Sequence, residues 1–592
     1  MVELALAEEF DKHRGKLFSG DYPTLSVSFH IVSGLYPDNI CFREFFPEDS
    51  FYSYSQADSL IKRIALKLKR IGVTKGDRVA VCGKNSCVWG LVFYAINAAS
   101  AVAVPIDALL SKDEVCNIAG KAKIKFAFAD GDRCPFFPFL EEGMLVRLDK
   151  VAAGNQQNRL PEEADSAFGS ALPYLLDWLS DQDDSGDLAL PSDDRDLACI
   201  LFTSGTTGVP KGVQLTNRNI MADVAMTEDR FRVYSHDSCY AILPLHHAYA
   251  LMAALLVLTT VGGEVIFGKR LVSQQIFREM RKGKPTIFLG VPLLYTKIAN
   301  GIRDELKRRG PLVLTLAGLA YRLSHFFRFS LNINIGRFLF GKILRTISFD
   351  SVRSCICGGG PLSEKVVSNF LVWGVNFMQG YGMTETSPII ALNPLESRNC
   401  KSVGKILTGI SAEIRNKGKD GNGTLFVKGE NCMKGYYEDP EETSEILGDD
   451  GFIDTGDVGH LDSRGYFYIT GRAKNIIVTS GGKNVFPEEI EEKFSRSRKV
   501  AQIVIVGFKS DEEQLDERIR AVAYPTKELL DSVGGDFSKA KKAISKEIAS
   551  VNRSLRSYKK IEDLKVVKEP FEMTTTRKIK RSCIERLLEN AI

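Results

Sequence analysis

Surplus charge of either sign is missing from this 592-residue sequence, in which 78 Lys and Arg stand against 74 Asp and Glu for a formal net charge of +4. So even a balance lacks the electrostatic footprint of a nucleic-acid binder, and nucleic acid is excluded as the main partner. Metal- or disulfide-type cysteine spacing is missing too. The 12 cysteines are scattered, and the close groupings Cys82/Cys87 and Cys355/Cys357 have no second pair at zinc-ribbon distance. Reduced thiols are therefore expected. The first sixteen residues show no basic start followed by a long apolar core, so the expected location is cytoplasmic. The uncharged run Ala248–Gly263 (AYALMAALLVLTTVGG) stops just short of a membrane span and reads as a buried helix. Internal repeats are absent. What remains is ordinary soluble composition, 44% hydrophobic and 26% charged, in a chain too long for one core. Two or more domains are expected.

The most informative stretch is Leu201–Gly212, LFTSGTTGVPKG. The apolar run Leu197–Phe202 reads as a buried strand, and it leads into Thr203, Ser204, Gly205, Thr206, Thr207, Gly208 and, two residues later, Pro210-Lys211-Gly212. Glycines let backbone N–H groups approach an anion. The hydroxyls and Lys211 supply further donors. A polyphosphate-holding loop is the physical reading. It is not a Walker loop, which needs Gly-Lys-Ser/Thr opening a helix; here Pro210 precedes the lysine and Gly212 follows it. The stretch closely resembles the phosphate loop of the acyl- and aryl-adenylate-forming enzymes, which include acyl-CoA synthetases, luciferases and the adenylation domains of peptide synthetases.

Further motifs occur in that family's order. Ala241–Tyr249 (AILPLHHAY) reads as a strand running out into two histidines. By the resemblance His247 orients the acid to be activated, with His246 in support. Cys357-Gly358-Gly359-Gly360-Pro361 follows a short strand over Val352–Cys357; bare backbone there accommodates a flat ligand, and the family uses Gly359, Gly360 and Pro361 for adenine and part of the acyl pocket. Gln379-Gly380-Tyr381-Gly382-Met383-Thr384-Glu385 matches the family's Tyr-Gly-x-Thr-Glu signature. In that setting Tyr381 can stack on adenine, Thr384 can bond the α-phosphate, and Glu385 can ligate Mg²⁺, a hard cation that takes carboxylate and phosphate oxygens together. Gly380, Gly382 and Met383 complete that nucleotide-binding turn.

Asp457, in Asp454-Thr455-Gly456-Asp457, matches the residue that accepts the ribose hydroxyls in relatives, assisted by Arg472. The family's interdomain hinge falls on Lys474, with Asn475 where many fatty acyl members carry an acid. Gly481 and Gly482 match the lining of the pantetheine channel for coenzyme A. In Met573–Arg581 (MTTTRKIKR) the catalytic lysine of the family pattern falls on Lys578, although Thr576 and Arg577 replace the usual Ser and Gly; Lys580 is the alternative.

The fold implied is α/β. A large N-terminal domain over 1–470, of distorted doubly wound α/β subdomains plus a small β-barrel, precedes a hinge at 471–475 and a small mobile α+β domain over 476–592. Alternation of strands and helices from Phe51 to Ala129 agrees with parallel α/β architecture. Beyond the hinge, Pro487 reads as a helix start, and Ala540, Ile544, Ile548, Val551 and Leu555 share one helical face. Residues 152–194, rich in Gln, Asn, Ser and acids, read as a surface insertion. Residues 306–349 contain no Asp or Glu, while Arg322, Arg328, Arg337, Lys342 and Arg345 are interleaved with Leu, Phe and Ile. This basic amphipathic insertion reads either as a surface lying on the inner face of a membrane or as helices covering the core with solvated basic faces. Short-acid members of the family are more compact here, which favours a long apolar substrate.

The resemblance therefore implies a fatty acyl-CoA synthetase: ATP and Mg²⁺ activate a medium- or long-chain fatty acid to acyl-adenylate, and coenzyme A receives the acyl group. An acyl carrier protein is the alternative acceptor. A non-catalytic lipid-binding or membrane-scaffold protein that kept the fold is the alternative of another class.

Overall fold

The computed structural model describes residues 2–46, 49–149, 174–180, 186–204, 210–269, 272–419, 421–479, 483–494, 497–509, 517–573, 579–589 and 591–592. Much of the expected insertion at 152–194 lies outside them. The chain divides into two compact units. The first holds residues 1–399, 403–411 and 428–453; the second holds 400–402, 412–427 and 454–592.

Two sheets organise the first unit. One has the strand order Gly435–Tyr436, Pro210–Thr216, Leu197–Ser204, Val102–Ile106, Arg78–Cys82, Ile124–Ala129, Leu145–Arg147. Its strands from Leu197–Ser204 to Leu145–Arg147 run parallel. They are near-continuous apolar runs because helices cover both faces. The helix Cys87–Ala98 is buried along its whole length and is capped by Ser86, whose hydroxyl accepts from the Trp89 amide. The other sheet places Ile40–Glu44, Glu264–Phe267, Ser238–Ala241, Ile287–Gly290, Ser354–Cys357 and Asn376–Gly382 side by side and parallel. Antiparallel Ser50–Ser53 closes one edge, and beyond Asn376–Gly382 the sheet continues with the antiparallel strands Ile389–Leu392 and Gly404–Ile406. In a parallel sheet every strand exits on the same side, so the segments after Ala241, Gly290, Cys357 and Gln379 all emerge at one rim. That rim is where open α/β sheets bind ligands.

The expected buried helix is present: Ala248–Thr259 is helical and buried apart from Tyr249, with a π-helical turn over Leu251–Leu256. The preceding strand is shorter than the sequence suggests. It ends at Ala241, and Ile242–His247 is a loop.

The strands Ser411–Arg415, Gly423–Lys428, Ile453–Leu461 and Tyr466–Arg472, which apart from Ser411, Lys428 and Ile453 belong to the second unit, are neighbours in that order. A separate core is built on the three-stranded sheet Val500–Phe508, Arg518–Pro525, Asp563–Val566. The helix Phe537–Asn552 covers it with Ala540, Ile544 and Ile548, while Leu555 packs on that core from beyond the helix end. The helix at Pro487 runs to Glu491 with two acids in its first turn, as the dipole favours. The architecture is the α/β one expected from the resemblance.

Candidate functional site

A hairpin delivers the lysine. Leu197–Ser204 pairs antiparallel with Pro210–Thr216, in a register that sets Thr203 opposite Lys211 and Ser204 opposite Pro210. A strand, not a helix, follows the turn, which is a second reason to set the Walker arrangement aside. Gly205, Thr206, Thr207 and Gly208 lie outside the described residues. Gly212 is required because a Cβ there meets Ile200 at 2.9 Å and Phe202 at 3.1 Å.

Lys211 is mostly buried, and a buried ammonium must be paired. It forms an ion pair with Glu442 and lies 5.3 Å from the Tyr436 ring centroid. Glu442 is in the first turn of the helix Pro440–Ile446, which starts with an Asp439 cap and a proline. Tyr436 in turn donates its hydroxyl to Glu385 Oε1 at 2.7 Å. Backbone bonds fix this chain of groups: Tyr437 N donates to Gly212 O at 2.7 Å, Lys434 N to Gln214 O at 3.0 Å, and Met433 N to Glu385 O at 2.8 Å. Lys211 and Glu385, 174 positions apart in sequence, are thus two steps apart through side chains.

The Thr384–Thr386 turn is held from below. Asn431 is fully buried, and its amide nitrogen reaches Asp223 Oδ1 (3.1 Å), Thr386 O (2.8 Å) and Ile389 O (3.1 Å). Burial pushes the Asp223 carboxyl well above the ordinary carboxylate range, and the Ile389 amide and Asn431 only partly oppose this. Gly382 admits no side chain: a Cβ there falls 1.8 Å from Pro388 O. Gly380 meets only the tip of Leu392. Tyr381, Met383 and Thr384 are half-buried and Glu385 is buried. Glu385 commits Oε1 to Tyr436. Among the described residues no group of three or more His, Cys, Asp or Glu forms a metal cage. One carboxylate fits Mg²⁺, which is ordinarily held by one or two carboxylates together with substrate phosphates.

The histidine pair sits on the same rim. His246 Nε2 and His247 Nε2 are 3.1 Å apart. Burial drives the His246 pKa down to about 3, so its ring is neutral at neutral pH, and Asp107 at 3.5 Å faces it without forming an ion pair. Asn85 explains why the strand stops at Ala241. Its buried side chain donates to Ala241 O (3.0 Å) and Leu243 O (2.8 Å) and accepts from Leu245 N (3.0 Å). Ala241 O still accepts from Gly268 N at 3.0 Å, whereas Leu243 O and Leu245 N are committed to Asn85 in a loop that presents both histidines. Tyr249 bonds Ile356 O at 3.0 Å, and its ring lies 3.1 Å from where a Cβ on Gly358 would be. The histidine loop and the triple-glycine turn therefore pack together. Beyond Gly358, Gly359 takes a φ of +82°, and Gly359, Gly360 and Pro361 are exposed.

Within the second unit, Asp457 is buried and Arg472 Nε approaches its Oδ1 at 2.9 Å across paired strands. Thr455 accepts from the Asp457 amide, and Gly456 turns with a φ of +66°. Lys474 lies in the short 3₁₀ turn Ala473–Asn475, and Asn475 donates to Glu488 at 2.6 Å. Gly481, Gly482 and Lys578 lie outside the described residues. On either side of 574–578, Met573 and Ile579 pair as an antiparallel bridge, and the alternative lysine, Lys580, donates its amide to Glu572 O at 2.8 Å.

Sequence reasoning missed Asn85, Asp223, Asn431, Tyr436 and Glu442. Only the last left a local signal, the Asp-Pro-Glu-Glu start of a helix.

Residues 32–437 match the family model described as AMP-binding enzyme. The chain is 28% identical to a long-chain-fatty-acid–CoA ligase, FadD15, of Mycobacterium bovis, over 82% of this chain and 78% of the relative. It is 27% identical to a long-chain-fatty-acid–[acyl-carrier-protein] ligase, AEE15, of Arabidopsis thaliana, over 90% and 81%. Among solved structures, ATP-bound MatB from Rhodopseudomonas palustris superposes with a TM-score of 0.70 at 23% identity, covering 95% of this chain and 98% of that one.

Two outcomes follow from this geometry. Asn431→Ala takes the buried amide donor away from Asp223 Oδ1 and from the Thr386 and Ile389 carbonyls, and is expected to cost about 1–3 kcal/mol, read as a lowered denaturation midpoint; an unchanged midpoint contradicts the role. His246, with a pKa of about 3 when folded and 6.5 as the ordinary value, binds a proton more readily unfolded. Its contribution to stability is therefore present above pH 6.5 and is lost as pH falls towards 3. The slope it adds is at most about 1.4 kcal/mol per pH unit. His246→Gln is expected to flatten the fall of Tm over that window, and a parallel profile contradicts it.

Proposed function

The chain belongs to the AMP-binding enzyme family, and from that premise we propose that it joins a medium- or long-chain fatty acid to coenzyme A in two steps. A carboxylate is a poor electrophile. In the first step one of its oxygens attacks the α-phosphorus of ATP and the bond to pyrophosphate breaks, giving acyl-adenylate. In the second, the sulfur of coenzyme A attacks the acyl carbon, AMP leaves with the bonding electrons, and the thiol proton passes to solvent. The observation that carries this reading is that Tyr436 links Lys211 to Glu385 while Glu442 neutralises the lysine. A cation held by an exchangeable carboxylate has a place for a phosphate oxygen.

The proposed roles follow the family's motifs residue by residue. Thr203, Ser204, Gly205, Thr206, Thr207, Gly208 and Lys211 hold the phosphates. Gly359, Gly360, Pro361, Tyr381 and the turn Gly380–Met383 receive adenine, and Asp457 with Arg472 takes the ribose. Thr384 bonds the α-phosphate, and His247 orients the acid. Glu385 would hold Mg²⁺, which neutralises phosphate charge when bound. Lys578 meets the charge that grows at the α-phosphorus. Lys474 is the hinge about which the carboxy-terminal domain, 476–592, turns between steps, after which Gly481 and Gly482 line the path of coenzyme A. A cytoplasmic location with peripheral membrane contact through 306–349 belongs to the same reading. The likeness to a carrier-protein ligase makes an acyl carrier protein the second acceptor to offer. A non-catalytic lipid-binding scaffold predicts no acid-dependent ATP–pyrophosphate exchange at all.

Lys578→Ala separates the steps. Adenylate formation, followed as acid-dependent ATP–pyrophosphate exchange, is expected to fall by about 10²–10³. Thioester formation from preformed acyl-adenylate is expected to stay within a few-fold of the parent. Equal losses in both half-reactions refute the assignment of Lys578.

A further inference from the structure

The helix Pro311–Phe326 buries almost nothing of itself. Of its sixteen residues Ser324 alone is buried, and Leu312, Leu316, Leu319, Leu323 and Phe326 are all exposed, Leu312 to 73%. Their spacing of four, three, four and three residues puts them in one stripe on one face. The opposite side holds the helix to the body: Tyr321 donates to Asn369 Oδ1 at 3.0 Å and Ser324 to Val372 O at 2.6 Å. The next helix, Gly336–Thr346, is seated on the same turn. A Cβ on Gly336 meets Val372 O at 2.2 Å, and Arg337 bonds Gly374 O. From that anchored helix Phe338 projects with 90% of its surface exposed, more than any other large apolar residue described. A contiguous apolar face of this kind on a soluble surface marks an interaction site.

Charge identifies the partner. No acid occurs from 306 to 349, and the exposed Arg322, Lys342 and Arg345 form no ion pair among the described residues. We propose that the Leu312–Phe326 stripe with Phe338 docks on an anionic lipid bilayer, the apolar side chains entering the acyl boundary and the three basic residues meeting lipid phosphates. The stripe is about 21 Å long, and no described helix is long and apolar enough to cross a membrane. The helix therefore lies in the interfacial plane, as basic amphipathic helices do. A second copy of the chain is the weaker occupant, because a two-fold interface sets each patch against itself and opposes like charges that have no counter-ion. Docking deepens the proposed function by naming where an apolar acid is met, since such acids partition into the same bilayer.

Flotation of the full chain with vesicles tests this without any turnover. Binding is expected to phosphatidylcholine vesicles containing phosphatidylserine, to weaken with salt, and to be far lower on phosphatidylcholine alone. The triple substitution Arg322→Gln, Lys342→Gln, Arg345→Gln is expected to lower the partition coefficient on anionic vesicles about a hundredfold or more. Leu316→Ser with Leu319→Ser and Phe338→Ser is expected to lower it at least as far. All these side chains are exposed, so the variants fold, and acid-dependent pyrophosphate exchange with a short water-soluble acid reports whether the adenylation reading holds independently. Equal binding by parent and variants overturns the proposal. So does a concentration-dependent dimer that the serine variant abolishes.

Discussion

Lys211 cannot be left alone where the hairpin puts it. A mostly buried ammonium is tolerated only beside a compensating charge. That requirement shapes the segment 429–443, which has to bring Glu442 to the lysine, Tyr436 to Glu385, and Asn431 to Asp223. Through this segment the links Lys211–Glu442, Tyr436–Glu385 and Asn431–Thr386 fasten the glycine–threonine hairpin to the Thr384–Thr386 turn. Removing one partner of such a buried pair costs far more than the pair contributes, and the site is stiff for that reason. In the proposed function an incoming phosphate oxygen supplies the charge that replaces Glu442 beside Lys211.

A second constraint is geometric. Parallel strands leave the sheet on one side, so the histidine loop, the triple-glycine turn and the Tyr381–Glu385 turn share a rim although more than a hundred residues separate the first from the last. Asn85 and Tyr249 then set local detail, the one by holding Leu243 O and Leu245 N in the loop after Ala241, the other by packing its ring against bare backbone at Gly358. Glycine is needed at Gly382 for the same reason: Pro388 occupies the room of a side chain.

Motifs read from sequence fared well where the signal is local. The strand before the glycine–threonine loop and the helix start at Pro487 depend on neighbours within a turn or two, and they lie where composition put them. Amphipathic faces were less legible. Between Tyr54 and Arg70 the buried residues are Tyr54, Ala57, Ile61, Ile64, Ala65, Leu68 and even Lys67; Leu60 and Leu66, apolar too, are only partly buried. Partner choice was not legible at all. Nothing around Asn431 or Asp223 reveals that they meet, because the contact is made by the fold 208 positions apart. The run 306–349 left two readings open in sequence, and exposure of its leucines is what favours a membrane-facing surface.

The proposed activity depends on one bond: carboxylate oxygen to the α-phosphorus of ATP. The most direct measurement is turnover of a fatty acid whose carboxyl oxygens carry a heavy isotope, with coenzyme A present and the products weighed by mass spectrometry. One labelled oxygen is predicted in AMP and none in pyrophosphate. Label in inorganic phosphate, or an unlabelled AMP formed alongside thioester, contradicts it.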